Sequence, residues 1–407
     1  MQNMNDLEQI KERLTANPFF ALSLGSRELF HSNFLAWLLT NYPMMISALA
    51  QSLPQRNFKV HREKYSFDLL VSTEDEGDRH SLIVEVKVKD TPKIHQLKQY
   101  DETAHKKRKC LGEAPEKLLI SLTTAPLGIP ASWRVANLAE LANSIEDVTS
   151  GCNLTPAHHT LVQYYLALCR DLTELVQRIT AVDLQSRYFL FKRPEEEAYT
   201  KVDDILDKLR FSDTIEKHRA SKLCEEIRRK SEGLAFSGFK PHFDHGFDRK
   251  QAHVGGAIRI FSDHDKRQPE LSLVVSLQGK QYRRMVSFRG QKIPSRAEGK
   301  DQEKLVEFID NTDGWKWMFG RAHEGGFFQS SGTQEGFFKN RQKILTNQKK
   351  NKLLLSYAPS YIYQYTDIGQ ENGVPTDRVI EAVIEDLQYA AQLLSNTDYV
   401  ARFREWS

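Results

Sequence analysis

Residues 81–90, SLIVEVKVKD, alternate apolar and charged side chains, and this segment constrains the fold more than any other part of the chain. Glu85 and Lys87 are separated by valines, and this period of two predicts a β-strand with apolar side chains on one face and charged ones on the other. We expect the valines to pack in the core. Charged side chains are rarely buried without a partner or a metal ion, so the second face is either a functional site or exposed to solvent.

The length of the chain, 407 residues, predicts two domains. A charged segment at residues 192–201 places the predicted boundary between a first domain, residues 1–190, and a second domain, residues 191–407. The net charge of +3 is too small to nominate a partner, so any contact with nucleic acid has to come from local basic patches.

The cysteines and the apolar segments bear on the compartment. The four cysteines form no CxxC pair, which argues against a structural zinc site and a disulfide framework and favours a reducing environment. We find neither a signal peptide nor the run of roughly 20 apolar residues that a membrane-spanning helix needs. We therefore expect a cytoplasmic protein with no membrane partner.

Apolar periodicity predicts an α/β (α+β) fold for the first domain and a separate α+β domain after it. The elements predicted for the first domain are, in order, a helix at residues 5–14, a helix capped by Ser26, three strands in an antiparallel meander, a helix opened by Pro92, a buried strand at residues 116–123, and helices at residues 133–145 and 160–182. The elements predicted for the second domain include several strands, a helix near residues 303–309, a loop at residues 325–338 and a closing helix at residues 376–394.

A candidate metal site follows from the strand pattern. Asp68 lies in the strand before Glu85, and antiparallel pairing would bring their carboxylates together. Two carboxylates and the backbone carbonyl of Val86 suit Mg²⁺, which prefers oxygen ligands and keeps several waters. Lys87 would orient an attacking water or stabilise negative charge that develops at phosphorus. These residue types in this order indicate hydrolysis of phosphodiesters.

This pattern resembles the PD-(D/E)XK nuclease superfamily. The matching residues are Glu28, Asp68, Glu85, Val86, Lys87, Gln96 and Tyr100. The resemblance spans most of the first domain and implies a restriction-endonuclease-like core, in which a mixed central sheet is flanked by helices. Phe67 stands where many members have proline, a minor departure because proline does not bind the metal. Residues 27–39 and the strands after them are also similar to a bacterial group of these nucleases associated with defence against phage.

The resemblance implies roles for four residues, to which the coordination chemistry of Mg²⁺ adds the Val86 carbonyl. Asp68 and Glu85 match the metal-binding carboxylates, and Lys87 matches the catalytic lysine. Glu28 matches a helix-borne acid that some members add to the metal shell, and the Val86 carbonyl is the backbone ligand. The implied cofactor is Mg²⁺, with Mn²⁺ as a substitute.

Five further residues are candidates for binding substrate. Gln96 and Tyr100 match a QxxxY helix motif that orients the site or touches phosphate. Lys89 follows the motif on the same strand face. Arg283 and Arg284 lie in a predicted strand with interleaved aromatic residues, a pattern typical of phosphate-contacting surfaces.

Each of these features also has a purely structural interpretation. Alternating charge at Glu85 and Lys87 is typical of a solvated strand face. Glu28 complements the dipole of a helix N-terminus. Gln96 and Tyr100 fit a packed helix face, and the arginines fit a solvated strand.

The sequence therefore predicts a Mg²⁺-dependent nuclease that cuts DNA, in bacterial defence against phage. The alternatives are a catalytically silent binding or assembly subunit with the same fold, and an enzyme that cuts RNA. We expect DNA as the principal partner, with a regulatory protein or a second copy of the chain as further partners.

Overall fold

The structure of the chain is a computed structural model. It describes residues 4–24, 27–55, 57–73, 79–122, 129–180, 184, 197–248, 251–261, 269–279, 281–288, 317, 355–358, 361–368, 374–396, 398 and 400–401. The predicted N-cap at Ser26, the predicted helix at residues 303–309 and the predicted loop at residues 325–338 lie outside these residues. Among the described helices, none combines the length and the apolar character needed to cross a bilayer.

The chain forms two compact units, whose limits differ from the predicted boundary at residue 190. The first unit comprises Met1–Ala181 and Glu195–His218, and the second comprises Val182–Pro194 and Arg219–Ser407. Residues beyond 194 join the first unit because Ile205, Leu206 and Phe211 are buried in its hydrophobic core.

The helices and strands of the first unit begin and end as follows. They are α1 (Met4–Ala16), α2 (Pro18–Ser23), α3 (Arg27–Asn41), a 3₁₀ helix (Pro43–Ala48), β1 (Phe58–Arg62), a 3₁₀ turn (Lys64–Ser66), β2 (Leu69–Thr73), β3 (Ser81–Lys87), α4 (Ile94–Lys106), α5 (Arg108–Leu111), β4 (Glu116–Ser121), β5 (Arg134–Asn137), α6 (Leu138–Thr149), α7 (Pro156–Thr180), α8 (Glu197–Lys208) and α9 (Ser212–Ser231), which belongs to this unit as far as His218.

The strands of the first unit form one mixed sheet in the order β1-β2-β3-β4-β5. The pairs β1–β2 and β2–β3 are antiparallel, which confirms the predicted meander. The pairs β3–β4 and β4–β5 are parallel, and α4 supplies the crossover that parallel neighbours need. The prediction of a mixed α/β fold with a central sheet flanked by helices is confirmed.

One predicted helix is wrong in its first turn. The sequence predicts a helix at residues 133–145, but Arg134–Asn137 form β5 and pair with β4. The helix begins only after Asn137, whose side chain accepts a hydrogen bond from the Glu140 N–H while the Glu140 carboxylate accepts one from the Asn137 N–H. This capping box fixes the start of α6.

The two faces of β3 separate the scaffold from the site. Val84, Val86 and Val88 are fully buried in the larger apolar cluster, with residues of α3 and α7, so the prediction that the valines pack in the core is confirmed. Ile83, on the opposite face, packs with residues of α4. Because side chains alternate along a strand, Glu85 and Lys87 share this second face with Ile83.

The second unit contains an antiparallel sheet and a long helix. Its elements are β6 (His242–Asp248), β7 (Gln251–Phe261), β8 (Pro269–Gln278), β9 (Gln281–Phe288), β10 (Leu355–Ala358), β11 (Tyr361–Asp367) and α10 (Thr376–Ser395). The strand order is β10-β11-β9-β8-β7-β6. Apolar side chains from one sheet face and from α10 form its core.

Candidate active site

Asp68 lies immediately before β2, and its carboxylate accepts a hydrogen bond from a β3 N–H just beyond the last residue pair of β2 and β3. The register between β2 and β3 ends where Leu69 pairs with Val84. The next N–H on that side of β3 belongs to Val86, and it donates to Asp68 Oδ2 at 2.8 Å. The N–H and C=O of one strand residue point to the same side, so the Val86 carbonyl also faces the side on which Asp68 lies.

Glu85 places a second carboxyl group beside Asp68, as expected from strand pairing. Its side chain is 1% exposed, and the two carboxyl groups lie within hydrogen-bond reach of each other. Glu85 Oε2 has no hydrogen-bond partner within the described part of the chain. Two carboxylates this close repel each other unless a proton or a cation lies between them.

The pKa values of the two acids reflect this crowding. Burial and the nearby charge of Asp68 raise the pKa of Glu85 to about 7. Burial also raises the pKa of Asp68, although the hydrogen bond from Val86 and the charge of Lys87 oppose the increase. The carboxyl pair is therefore short of positive charge, even with a lysine beside it.

Lys87 directs its ammonium group at this pair. Its Nζ lies 2.7 Å from Glu85 Oε1, and its side chain is 16% exposed. Burial lowers the pKa of Lys87, but the charges of Glu85, Asp68 and Glu28 outweigh this effect and raise it. Lys87 is consequently a fixed cation at neutral pH, next to the carboxylates and still reachable from solvent.

Gln96 and Tyr100, one turn apart on α4, brace Glu85. Gln96 Nε2 donates to Glu85 Oε1 at 3.2 Å and to the Tyr100 hydroxyl at 2.7 Å. The Tyr100 ring packs edge to face on Phe67, with centroids 5.3 Å apart. Burial and the charge of Glu85 raise the pKa of Tyr100 to about 12, so its hydroxyl stays protonated. Of the two roles predicted for this pair, orienting the site is the one these contacts serve.

Glu28 lies near the site but bonds to the backbone. Its Oε1 accepts hydrogen bonds from the N–H groups of Lys89, at 2.8 Å, and Asp90, at 3.0 Å. Its charge acts on Asp68 and Lys87. Across the described residues, His, Cys, Asp and Glu side chains form no group of three or more that could hold a metal ion. Through its two hydrogen bonds Glu28 holds the backbone that follows β3. The Lys89 side chain is exposed and points away from the core.

The donor set still fits Mg²⁺. This ion is commonly held by one or two carboxylates together with waters and substrate phosphate, and it does not need a cage made wholly of protein. Asp68 and Glu85 supply the carboxylates, the Val86 carbonyl faces the same side, and the partnerless Glu85 Oε2 supplies an open lone pair.

The two arginines predicted to bind substrate have other partners. Arg284 is 4% exposed, and its Nε donates to Asp386 Oδ2 at 2.6 Å, so its predicted contact with phosphate is wrong: the side chain points into the core beneath α10. Arg283 points to the other face and is half-buried. Its Nε donates to Gln281 Oε1 at 2.9 Å, and its guanidinium lies 5.0 Å from the centre of the Tyr363 ring.

Sequence reasoning missed three residues that hold the end of β3. Lys217 on α9 forms an ion pair with Asp90, and His218 Nε2 lies 3.4 Å from the carbonyl oxygen of Val88. Burial opposes ionisation of Asp90, but Lys217 and the more distant Lys87 outweigh it and lower the pKa of this carboxyl. No local signal could have revealed these contacts, because they join residues 127 to 130 positions apart.

Comparison of the chain with protein-family models, with curated protein sequences and with solved structures gave no match.

Proposed function

We propose that this protein is a Mg²⁺-dependent nuclease that hydrolyses phosphodiester bonds of DNA. The observation that carries the proposal is the buried carboxyl pair of Asp68 and Glu85, with the Lys87 ammonium 2.7 Å from Glu85 Oε1. A structural ion pair needs one carboxylate. A second carboxylate within hydrogen-bond reach of the first makes ionisation of both more costly. Such a pair stabilises a bound divalent cation more than it stabilises the fold.

In this proposal each residue of the candidate active site has a separate role. Asp68, Glu85 and the Val86 carbonyl hold Mg²⁺, which when bound activates water and neutralises charge on the phosphate. Lys87 donates hydrogen bonds to the attacking water or to a phosphate oxygen and stays protonated while charge grows on phosphorus. Gln96 keeps the Glu85 carboxylate oriented, and Glu28 fixes the backbone at the end of β3.

The proposed fold assignment is a restriction-endonuclease-like core of the PD-(D/E)XK type. Support comes from the sheet, in which the two acid-bearing elements are antiparallel neighbours and the next strand is parallel. A further support is the contact of Gln96 with Glu85. The role in bacterial defence against phage, and control by a protein partner or a second copy, remain part of the proposal through the sequence resemblance alone.

The test is incubation of the full chain with supercoiled plasmid, linear DNA and RNA, each with Mg²⁺, Mn²⁺ or EDTA. We expect cleavage of DNA with either metal, none with EDTA, and none by Lys87→Met or Glu85→Gln. If Glu85→Gln cuts as fast as the wild type, the proposal is wrong. Cleavage of RNA in preference to DNA would support the same chemistry on the other nucleic acid, because the metal and lysine contact only the backbone.

A silent binding subunit is the second candidate. It is favoured by the contacts that hold Glu85 Oε1 without a metal, the Lys87 ammonium at 2.7 Å and the Gln96 amide at 3.2 Å. Titration calorimetry separates the two functions. A nuclease site binds Mn²⁺ in the wild type and loses this heat in Asp68→Asn, whereas a silent subunit shows no binding that depends on Asp68.

A further inference from the structure

The turn that precedes Asp68 has an unusual backbone. Glu63, Tyr65 and Ser66 all have left-handed conformations, with φ of 54°, 58° and 68°. Each costs a non-glycine residue roughly 1 kcal/mol or more, and such residues gather at functional sites. The turn is closed by hydrogen bonds from the Phe67 N–H to the Lys64 carbonyl and from the Glu63 N–H to the Asp68 carbonyl. The strained backbone therefore fixes Tyr65 close to Asp68.

Two lysines from different elements meet at the Tyr65 ring. Lys64 Nζ lies 5.6 Å from the ring centre, and Lys107 Nζ, at the end of α4, lies 5.3 Å from it. The Tyr65 hydroxyl is within hydrogen-bond reach of Cys110 on α5, which ties the ring to that helix. An aromatic face attracts ammonium groups and so gathers two like charges that would otherwise separate.

A histidine lies next to this pair. His61 Nε2 is 3.4 Å from Lys64 Nζ. Burial lowers the pKa of His61, and the charges of Lys64 and Lys59 lower it further. A lowered pKa leaves this imidazole neutral at pH 7, so the positive charge at the turn comes from the lysines, and a local positive field of this kind favours anions.

Lys64 and the histidine beside it lie on the same side of the sheet as the carboxyl pair. His61 pairs with Leu70 and Leu70 pairs with Ile83, so their side chains share one face. Glu85 is two residues from Ile83 and lies on that face too. Lys64 is four positions before Asp68, so their Cα atoms are at most about 14 Å apart. A strand of nucleic acid that reached the carboxylates would present its neighbouring phosphates to the turn.

We infer that Lys64 and Lys107, gathered on Tyr65, form a phosphate-binding subsite for the nucleic-acid strand that enters the candidate active site. The inference rests on the proposed function for its ligand. The ammonium groups contact phosphate oxygens a few nucleotides from the bond that is cut, while Tyr65 sets the spacing of the two lysines. This basic subsite supplies binding that the small net charge of the chain does not.

The test measures binding without cleavage. Fluorescence anisotropy in EDTA, with a labelled DNA duplex at several salt concentrations, gives Kd and its salt dependence. We expect Lys64→Gln with Lys107→Gln to weaken binding at least tenfold at low salt and to lower the slope of log Kd against log salt by about 2, or about 1 for each lost phosphate contact. Glutamine keeps two of the four methylene groups and a polar end, so we expect folding to be preserved. Lys208→Gln, an exposed lysine on α8, is the matched control and should change neither quantity.

The role of the ring is tested with two variants. Tyr65→Phe keeps the aromatic face and should bind DNA within twofold of the wild type, whereas Tyr65→Leu should bind several-fold more weakly. Equal binding by Leu and Phe would overturn the role of Tyr65.

The outcomes separate this inference from the proposed function. If the wild type cleaves DNA with Mg²⁺ but the double lysine variant keeps the full salt slope, the subsite is wrong and the nuclease stands. If the wild type does not cleave DNA, but the double lysine variant binds DNA more weakly and with a smaller salt slope than the wild type, the subsite is supported and the proposed nuclease activity is wrong. Should the double variant lose binding to phosphatidylserine vesicles and keep binding to DNA, the ligand is a lipid surface and the inference is wrong.

Discussion

The Val86 N–H donates a hydrogen bond of 2.8 Å to the Asp68 carboxylate, which takes the place of the backbone carbonyl that would accept it if the β2–β3 pairing continued. The same carboxylate is a proposed metal ligand, so its two duties can be separated by substitution. Asp68→Asn keeps an acceptor for the Val86 N–H and removes the charge, whereas Asp68→Ala leaves that N–H without its partner, at a cost of about 1–3 kcal/mol. We expect both to abolish cleavage, with Asn more stable than Ala by about 1 kcal/mol in urea denaturation. Equal stability would show that the hydrogen bond contributes little.

The raised pKa of Glu85 predicts a pH-dependent stability in the absence of metal. Burial and Asp68 raise the folded-state pKa to about 7, above the ordinary value near 4.5, so folding favours the neutral carboxyl. The contribution of the neutral Glu85 carboxyl to the free energy of unfolding is complete below pH 4.5. It is lost as pH rises through about 7, and the loss is on the order of 3 kcal/mol. Thermal melts in EDTA should show the wild type losing more stability between pH 5 and pH 8 than Glu85→Gln, which cannot ionise. Parallel curves for the two proteins would contradict the shift.

Much of this site follows from sequence because its motif is local. The alternation around Glu85 and Lys87 fixes which side chains share a face, and the three-strand meander fixes Asp68 as their neighbour. The spacing of four between Gln96 and Tyr100 fixes their contact along one helix face. In each case the contacting residues are close in sequence, or the pairing of neighbouring strands brings them together.

The remainder depends on contacts between distant residues that no local pattern encodes. Arg284 alternates with the buried Tyr282 and Val286, so the strand pattern places it on the apolar face, but its partner Asp386 lies 102 positions away and no local pattern reveals it. The pairing of Asp90 with Lys217 joins elements 127 residues apart. The left-handed conformation of Tyr65 is opposed by its own backbone preference, so a local propensity could not have predicted it.

Metal binding should reverse the pH trend. Ligand carboxyls must lose their protons before they bind a divalent cation, so affinity rises as Glu85 ionises. We expect the increase in Tm on addition of about 10 mM Mg²⁺ or Mn²⁺ to be small at pH 5.5 and to grow towards pH 8, because a ligand that binds only the folded state stabilises it. Glu85→Gln should show little increase at either pH. An increase in Tm that is the same at both pH values would indicate that the metal binds elsewhere.

The buried pair of Arg284 and Asp386 predicts that this arginine stabilises the second unit. Arg284 Nε and Nη2 donate to the two carboxylate oxygens at 2.6 and 3.2 Å, and the Tyr282 hydroxyl also donates to this carboxylate. Arg284→Met leaves the Asp386 charge buried without its cation, which typically costs 3–5 kcal/mol, roughly the loss we expect in urea denaturation. Replacing both partners, as Arg284→Met with Asp386→Leu, should recover most of the loss, because no charge then remains buried.

Arg283→Gln is the matched control, because this neighbouring arginine is half-buried and bonds to glutamine side chains. We expect its stability to change by less than about 1 kcal/mol, as is usual for substitutions away from buried charges. The salt slope of DNA binding in EDTA should be unaltered by Arg284→Met at temperatures where the variant is folded, since a guanidinium that is 4% exposed has no surface to offer a phosphate. A slope reduced by about 1 would restore Arg284 as a phosphate contact.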